Sequence, residues 1–206
     1  MTLHVVALDG PVGSGKSTVA RLLADQLGWS FLDTGAMYRA VTVEALRKEL
    51  PLTNDELGTL AETVMIETLP RVTVDGRNIE DELRTTAVND AVSIVAAQPR
   101  VRAAMVVQQR AFAARQERGT VVEGRDIATV VFPDAQLKVF LTASLTERAR
   151  RRSEEGAHSV QRRDELDSSR LDSPLQQAPD ARIIDTTGRT VPDVVKEILE
   201  CLTLSN

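Results

Sequence analysis

Leu3-His4-Val5-Val6-Ala7-Leu8-Asp9-Gly10-Pro11-Val12-Gly13-Ser14-Gly15-Lys16-Ser17-Thr18 is the stretch that decides the fold. Its short apolar run, β-branched and without alternation, predicts a strand buried on both faces, as in a parallel sheet. Asp9-Gly10 opens a turn, and Val19, Leu22, Leu23 and Leu27 then recur at helical spacing until Gly28 stops the pattern. The turn between strand and helix reads Gly, four residues, Gly, Lys, Ser. Glycines at 10, 13 and 15, with Ser14 between, let successive backbone N–H groups converge on phosphate oxygens. The helix beginning at Lys16-Ser17-Thr18 presents its N-terminus to the same anion, Lys16 reaches the outer phosphates, and the Ser17 hydroxyl suits Mg2+. A nucleoside triphosphate is the expected ligand. A dinucleotide loop would need a third glycine at this spacing and would not place a lysine where the helix begins.

Further along, Phe31-Leu32, Thr120-Val121-Val122, Leu137-Lys138-Val139-Phe140-Leu141 and Ile183-Ile184-Asp185 are strand candidates. Helices are expected after Gly35, from about Asp55 to Val64, and from about Thr86 to Gln116, the last broken or restarted at Pro99 and stopped by Gly119. Thr190 is a candidate cap for a final helix running from Pro192. Arg71 to Ile79 alternates around Asp75-Gly76, which predicts a small antiparallel hairpin inserted in an otherwise parallel fold. Strands alternating with helices predict an α/β domain with a parallel sheet core. Between Glu147 and Arg170 the chain is charged and poor in large apolar residues, which predicts a surface segment rather than deep core.

The chain has 206 residues and a formal charge of −5, enough length for one buried core and the wrong sign for nonspecific clamping of a duplex. Arginine supplies 21 of its 25 basic residues, a bias toward the planar fork that grips phosphate and carboxylate. The single Cys201 reads as a small buried hydrophobe and excludes an internal disulfide, and no cluster has zinc-ligand spacing. No signal-peptide pattern or membrane-length apolar run is visible, so a cytoplasmic protein is expected.

A loop of this type also needs an acid near the metal. Glu123, at the end of the Thr120–Val122 run, is the first candidate, acting through water, with Asp9 and Asp126 as others. Arg125 and Asp126 follow at the edge where open α/β sheets bind ligands. The arginine suits a substrate phosphate and the aspartate suits a base amino group or a sugar hydroxyl.

Four blocks then resemble the signature segments of the bacterial cytidylate kinase family. They are Leu32-Asp33-Thr34-Gly35-Ala36-Met37-Tyr38-Arg39, Gln98-Pro99-Arg100-Val101-Arg102, Gln109-Arg110-Ala111-Phe112 and Glu123-Gly124-Arg125-Asp126-Ile127-Ala128-Thr129-Val130-Val131-Phe132-Pro133-Asp134-Ala135. They stand in the family's order around the phosphate loop, and the likeness covers nearly the whole chain. The resemblance implies a P-loop nucleoside monophosphate kinase fold, with a core over about 1–50, 86–146 and 171–206, a small monophosphate-binding insertion at about 51–85 and a short helical lid at about 147–170. It implies transfer of the γ-phosphoryl group of ATP to CMP or dCMP in an Mg2+-dependent closed site, by a monomer. Thr34 falls where the family meets the cytosine, Tyr38 lines the acceptor site, and Arg39, Arg102 and Arg125 hold the acceptor phosphate. Ser93 and Asp126 lie at the base or ribose. Arg163, Asp167 and Arg170 match the run that closes over CMP, and their spacing lets them share one helical face. Arg148 and Arg152 point toward the donor phosphates, and Lys16, Arg152 and Arg163 are the catalytic candidates.

The segment between Arg152 and Arg163 and the insertion before Arg71 are shorter than in enterobacterial members, and Ala128 stands where glycine is expected. Other readings are a P-loop kinase for another nucleotide or for a compact alcohol such as shikimate, a nucleotide-driven switch, and a nucleic-acid-dependent ATPase. The acidic charge and 3% aromatic content weigh against the last.

Overall fold

The computed structural model describes residues 4–152, 156–168 and 174–204, apart from the side chains of 156–160 and 163. The chain divides into two compact units, one taking in the chain up to Leu32 and from Phe112 onward, the other Asp33–Ala111.

The first unit is built on a five-stranded sheet. β1 (Val5–Asp9) lies at its centre, and β2 (Ser30–Asp33), β6 (Thr120–Glu123), β7 (Leu137–Thr142) and β8 (Arg182–Asp185) complete the order β2-β6-β1-β7-β8. β1 runs parallel to β6 and β7, and β7 parallel to β8. Every residue of β1 and of β6 is buried, which explains why both read as unbroken apolar runs. Helix α1 (Lys16–Leu27) packs on β6 and on α8 (Val191–Leu204), and α8 packs on β7. Val19, Leu23, Val194, Val195 and Ile198 meet Val6, Leu8, Val121, Val139 and Leu141 in one core cluster. The connection that leaves β1 runs to β2 on one side and the one that leaves β6 runs to β7 on the other, so the carboxyl ends of β1 and β6 flank the switch point at which open α/β sheets bind ligands. The phosphate loop and Glu123 both begin there.

The second unit contains α2 (Thr34–Arg47), α3 (Asp55–Thr63), α4 (Thr86–Ala96), most of α5 (Pro99–Ala114) and a three-stranded antiparallel sheet of β3 (Ile66–Glu67), β4 (Thr73–Val74) and β5 (Arg77–Asn78). α2 packs against α4, α3 and β4. This unit takes in α2, α4 and most of α5 besides residues 51–85, since α2 packs against both α4 and β4. Asp75 and Gly76 both have positive φ, at 50° and 79°, so the Asp-Gly turn takes the tight hairpin form its sequence predicts.

Several local expectations are corrected. Two residues give β3 no period to detect, and it escaped the sequence reading. The long helix stops at Ala114, and Gly119 serves a different purpose: a Cβ there would lie 2.7 Å from the Trp29 ring. Cys201 is only partly buried and flanks the core cluster instead of filling it. The charged segment is not wholly surface, because Asp167 of α7 (Gly156–Ser168) is 4% exposed and paired. Among the described residues, no helix is long and apolar enough to cross a membrane.

Candidate active site

The loop between β1 and α1 holds its shape by contacts on its outer side. Gly10 has φ of 149°, and a Cβ there would come within 2.1 Å of the Leu141 carbonyl oxygen on β7. Gly13 has φ of 77°, and a Cβ would meet the backbone oxygen of Arg148 at 2.8 Å. Both positions combine a left-handed backbone with direct backbone contact, a pairing open only to glycine. Gly15 caps α1 without a side-chain hydrogen bond, which leaves the first-turn N–H groups for an anion. Ser14 is fully buried in the loop, and Thr18 is exposed on the first turn of α1.

Lys16 is 6% exposed and its Nζ donates to the Pro11 carbonyl at 2.8 Å. Burial, followed by the charge of Arg125, pushes its ammonium down to about 7, although Glu123, Asp9 and Asp167 pull the other way. Removal of the Lys16 ammonium from water is the main cause of that shift, and a polyphosphate beside it would oppose the shift. Ser17 Oγ donates to Glu123 Oε1 at 2.5 Å, so hydroxyl and carboxylate sit together where β6 ends.

Past Glu123, Arg125 is tied at both ends of its guanidinium. Nη1 donates to the Gly10 carbonyl at 2.9 Å and Nε to Asp167 Oδ2 at 2.7 Å. Asp126 is buried, and the chain then makes a π-helical turn, Ile127–Val131, that the sequence did not signal. Asp9 builds that turn: Oδ1 accepts from the Ile127 N–H at 2.9 Å and Oδ2 from the Ala128 N–H at 2.7 Å. Asp9 is thereby a scaffold for the segment carrying Arg125, a different task from the metal-side acid considered for it. Burial, with the charge of Asp126, raises its carboxyl to about 6 against the pull of the two N–H groups and Lys16.

Helix α6 (Leu145–Arg151) braces the loop from the other side. Arg148 donates from Nη1 to the Val12 carbonyl at 3.1 Å. Arg151 donates from Nη1 to the Gly13 carbonyl at 3.3 Å and from Nη2 to the Thr186 carbonyl at 2.7 Å. Thr186 Oγ1 in turn donates to the Ser14 carbonyl at 3.0 Å. Arg151 and Thr186 escaped the sequence reading. The only signal for Arg151 was its place one turn beyond Glu147, and Thr186 carried none. Arg152 closes the C-terminal end of α6, where its N–H bonds to the Arg148 and Ala149 carbonyls at 3.2 Å and 3.1 Å. Arg163 belongs to α7, but its side chain lies outside the described residues, as does Arg170 altogether.

In the second unit, Thr34 opens α2 behind Asp33, whose Oδ1 accepts from the Ala36 N–H at 2.9 Å. Tyr38, Arg39 and Arg102 are buried together with it. The Arg102 guanidinium lies over the Tyr38 ring at 5.5 Å, and its Nη1 donates to the Ala96 carbonyl at 3.1 Å. Arg39 Nη1 donates to the Leu83 carbonyl at 2.7 Å and to Asn89 Oδ1 at 2.8 Å. Ser93 is half-buried on α4. Four of the five acceptor-side candidates in this unit are therefore buried polar groups, which is unusual unless they are partnered or serve a ligand.

The family model for cytidylate kinase matches residues 6–204. The chain belongs to the cytidylate kinase family. It is 46% identical to the cytidylate kinase of Pelotomaculum thermopropionicum, with 94% of this chain and 93% of that protein covered. The Geobacillus kaustophilus cytidylate kinase is 44% identical, at 95% and 94% coverage. A solved gluconokinase from Sinorhizobium meliloti superposes with a TM-score of 0.55 at 16% identity, covering 98% of this chain and 92% of that one. Shikimate kinase from Acinetobacter baumannii, in complex with shikimate, gives 0.51 at 16% identity, covering 100% and 96%. These two share the fold, and the cytidylate kinase relatives carry the family assignment.

Proposed function

We propose that this member of the cytidylate kinase family transfers the γ-phosphoryl group of ATP to CMP or dCMP, giving ADP and CDP or dCDP. The observation that carries the donor side is the braced loop at the N-terminus of α1, with the buried Lys16 ammonium bonded back to the Pro11 carbonyl and the uncapped first turn beside it, since this arrangement suits a polyphosphate. We assign the donor phosphates to Gly10, Gly13, Ser14, Gly15, Lys16, Ser17, Thr18 and Arg148. Acceptor phosphate falls to Arg39, Arg102 and Arg125, and base and ribose to Thr34, Tyr38, Ser93, Asp126 and Asp167, with Arg163 and Arg170. Residues 51–85 serve as the monophosphate-binding insertion and 147–170 as the lid.

Transfer is direct and in line, so the protein's work is to position two anions and neutralise the charge between them. Lys16, Arg152 and Arg163 neutralise that charge, and closure of the lid keeps water from the phosphorus. Ser17 and Glu123 present hard oxygen donors. A cation that takes few protein ligands and keeps its waters suits such a place, and Mg2+ is of that kind. Ser17 would hold it directly and Glu123 through water, and when bound it supplies charge neutralisation on the phosphate oxygens. We further propose that the enzyme works as a cytoplasmic monomer on free nucleotides.

The test is an acceptor screen with Mg-ATP against CMP, dCMP, UMP, AMP, GMP and shikimate, following ADP release and identifying the product. Product with CMP and dCMP, little with UMP and none with the rest is the expected result. ATP turnover that ignores every acceptor would overturn the reading.

A further inference from the structure

Asp164 has been given no task so far, although it lies between two positions that have one, Arg163 and Asp167. Its carboxylate reaches from α7 to the phosphate loop. Oδ1 accepts from the Val12 N–H at 3.1 Å, and Oδ2 accepts from Nη1 of Arg148. The same Nη1 donates to the Val12 carbonyl at 3.1 Å, and Arg148 Nε donates to the Ala143 carbonyl at 3.1 Å. Both polar groups of Val12 are thus taken by one ion pair, the N–H by Asp164 and the carbonyl by Arg148.

Two features make this more than a surface contact. The paired side chains are only 12% and 18% exposed, so solvent screens the pair less than it would on an open face. One turn along α7, Asp167 pairs with Arg125, with exposures of 6% and 20%. Residues three apart share a helical face, so one face of α7 rests on two arginines, each of them proposed above as a phosphate ligand. Arg148 Nη2 makes no hydrogen bond among the described residues, so the pair fixes the guanidinium while leaving one of its ends for an anion.

We propose that Asp164 is a positioning residue for phosphoryl transfer. By engaging Val12 and Arg148 together it registers α7 on the donor loop and aims Arg148, so that transfer is fast only with the helix seated. This inference rests on the donor-phosphate role proposed for Arg148.

The experiment measures kcat and KM for ATP and for CMP, together with thermal stability, in D164N, D164E, R148M and the D164N/R148M double variant. Asparagine keeps an acceptor for the Val12 N–H and loses the ion pair. The expected result is a fall in kcat of about tenfold or more in D164N, with KM for CMP within about threefold and a melting temperature close to that of the parent. D164E, which keeps the charge, recovers part of the turnover. The double variant is expected to be no slower than R148M alone, because the two residues act as a unit. Parental kcat in D164N, or losses that multiply in the double variant, would overturn the inference while leaving the proposed function standing. Parental turnover in R148M would remove the donor-phosphate role of Arg148, and the inference with it.

Discussion

Replacing Asp9 with Asn removes the buried carboxylate that organises the turn after Asp126, and its effect on stability depends on pH in a direction that can be worked out. Burial raises the Asp9 carboxyl from 3.8 to about 6 in the folded chain. A carboxyl raised on folding binds its proton more tightly folded than unfolded, so it adds stability as pH falls through 6 and loses it as pH rises. At about 1.4 kcal/mol for each pH unit, the displacement amounts to about 3 kcal/mol. About 2 kcal/mol of that is realised between pH 7 and pH 4.5, since the unfolded carboxyl is still mostly ionised at pH 4.5. Asparagine has no such titration. It accepts one of the two backbone N–H groups and faces the other with its own donor, a loss of about 1–3 kcal/mol that removal of the buried charge offsets at pH 7. The two proteins should therefore be close in stability at pH 7, and the parent should gain about 2 kcal/mol on D9N by pH 4.5. Urea unfolding at pH 4.5, 5.5, 6.5 and 7.5 gives the difference directly, because groups common to both proteins cancel. A difference that stays constant, or that moves in favour of D9N as pH falls, would refute the claim that burial dominates at Asp9.

Other outcomes follow from the same contacts. Lys16→Met should reduce kcat about 100-fold or more without lowering the melting temperature, and near-parental turnover would contradict its place at the phosphates. Gly10→Ala forces a Cβ to within 2.1 Å of the Leu141 oxygen at φ of 149°, so soluble yield and nucleotide affinity should both collapse. Native-like thermal unfolding would show that the loop can move aside. Glu44 on α2 is buried and accepts from Arg47 at 2.7 Å and from Arg77 at 2.6 Å. Although burial raises its carboxyl, those two arginines hold it below the usual range. The stability it contributes is therefore present above about pH 4.5 and is lost as pH falls, and Glu44→Gln should lower the melting temperature at pH 7 more than at pH 4.

What the sequence made legible and what it hid divide along physical lines. The loop could be read because each of its residues meets a local demand: positive φ at Gly13 and Gly15, an ammonium at Lys16, a hydroxyl at Ser17. β1 and β6 could be read because burial on both faces erases alternation, and β7 because its apolar residues are β-formers on an alternately buried strand. Long-range partners had no such signature. Asp9 bonds to residues 118 and 119 positions away, and Thr186 reaches Ser14 across 172. Spacing rules describe one helix or strand at a time, so they are silent about such pairs. The charged run from Glu147 is mostly exposed or half-buried, as its composition predicts, and the inward contact of Asp164 was hidden for the same reason. Its composition matches a solvated helix; the resemblance singled out Asp167, and only the arginines on other elements reveal that Asp164 faces the loop as well.

That hidden contact bears on how the donor loop is held. An anion site must keep several N–H groups pointed at one place before the anion arrives, and a glycine-rich loop is the backbone least able to do so unaided, because it has the most conformations to lose. Here the carbonyls on the far side of the peptide planes are occupied: Val12 by Arg148, Gly13 by Arg151, Ser14 by Thr186 and Gly10 by Arg125. A bonded carbonyl fixes its peptide plane, and the N–H at the opposite edge is fixed with it. Three of the four donors are arginines carrying positive charge against the outer surface of the loop, which adds to the attraction for polyphosphate that Lys16 and the helix end exert from within. Two of these arginines, Arg125 and Arg148, are also proposed above as phosphate ligands, whereas Arg151 is assigned only to holding the backbone. Losing an outer donor such as Arg151 should therefore weaken ATP binding, although that residue touches the loop only from behind.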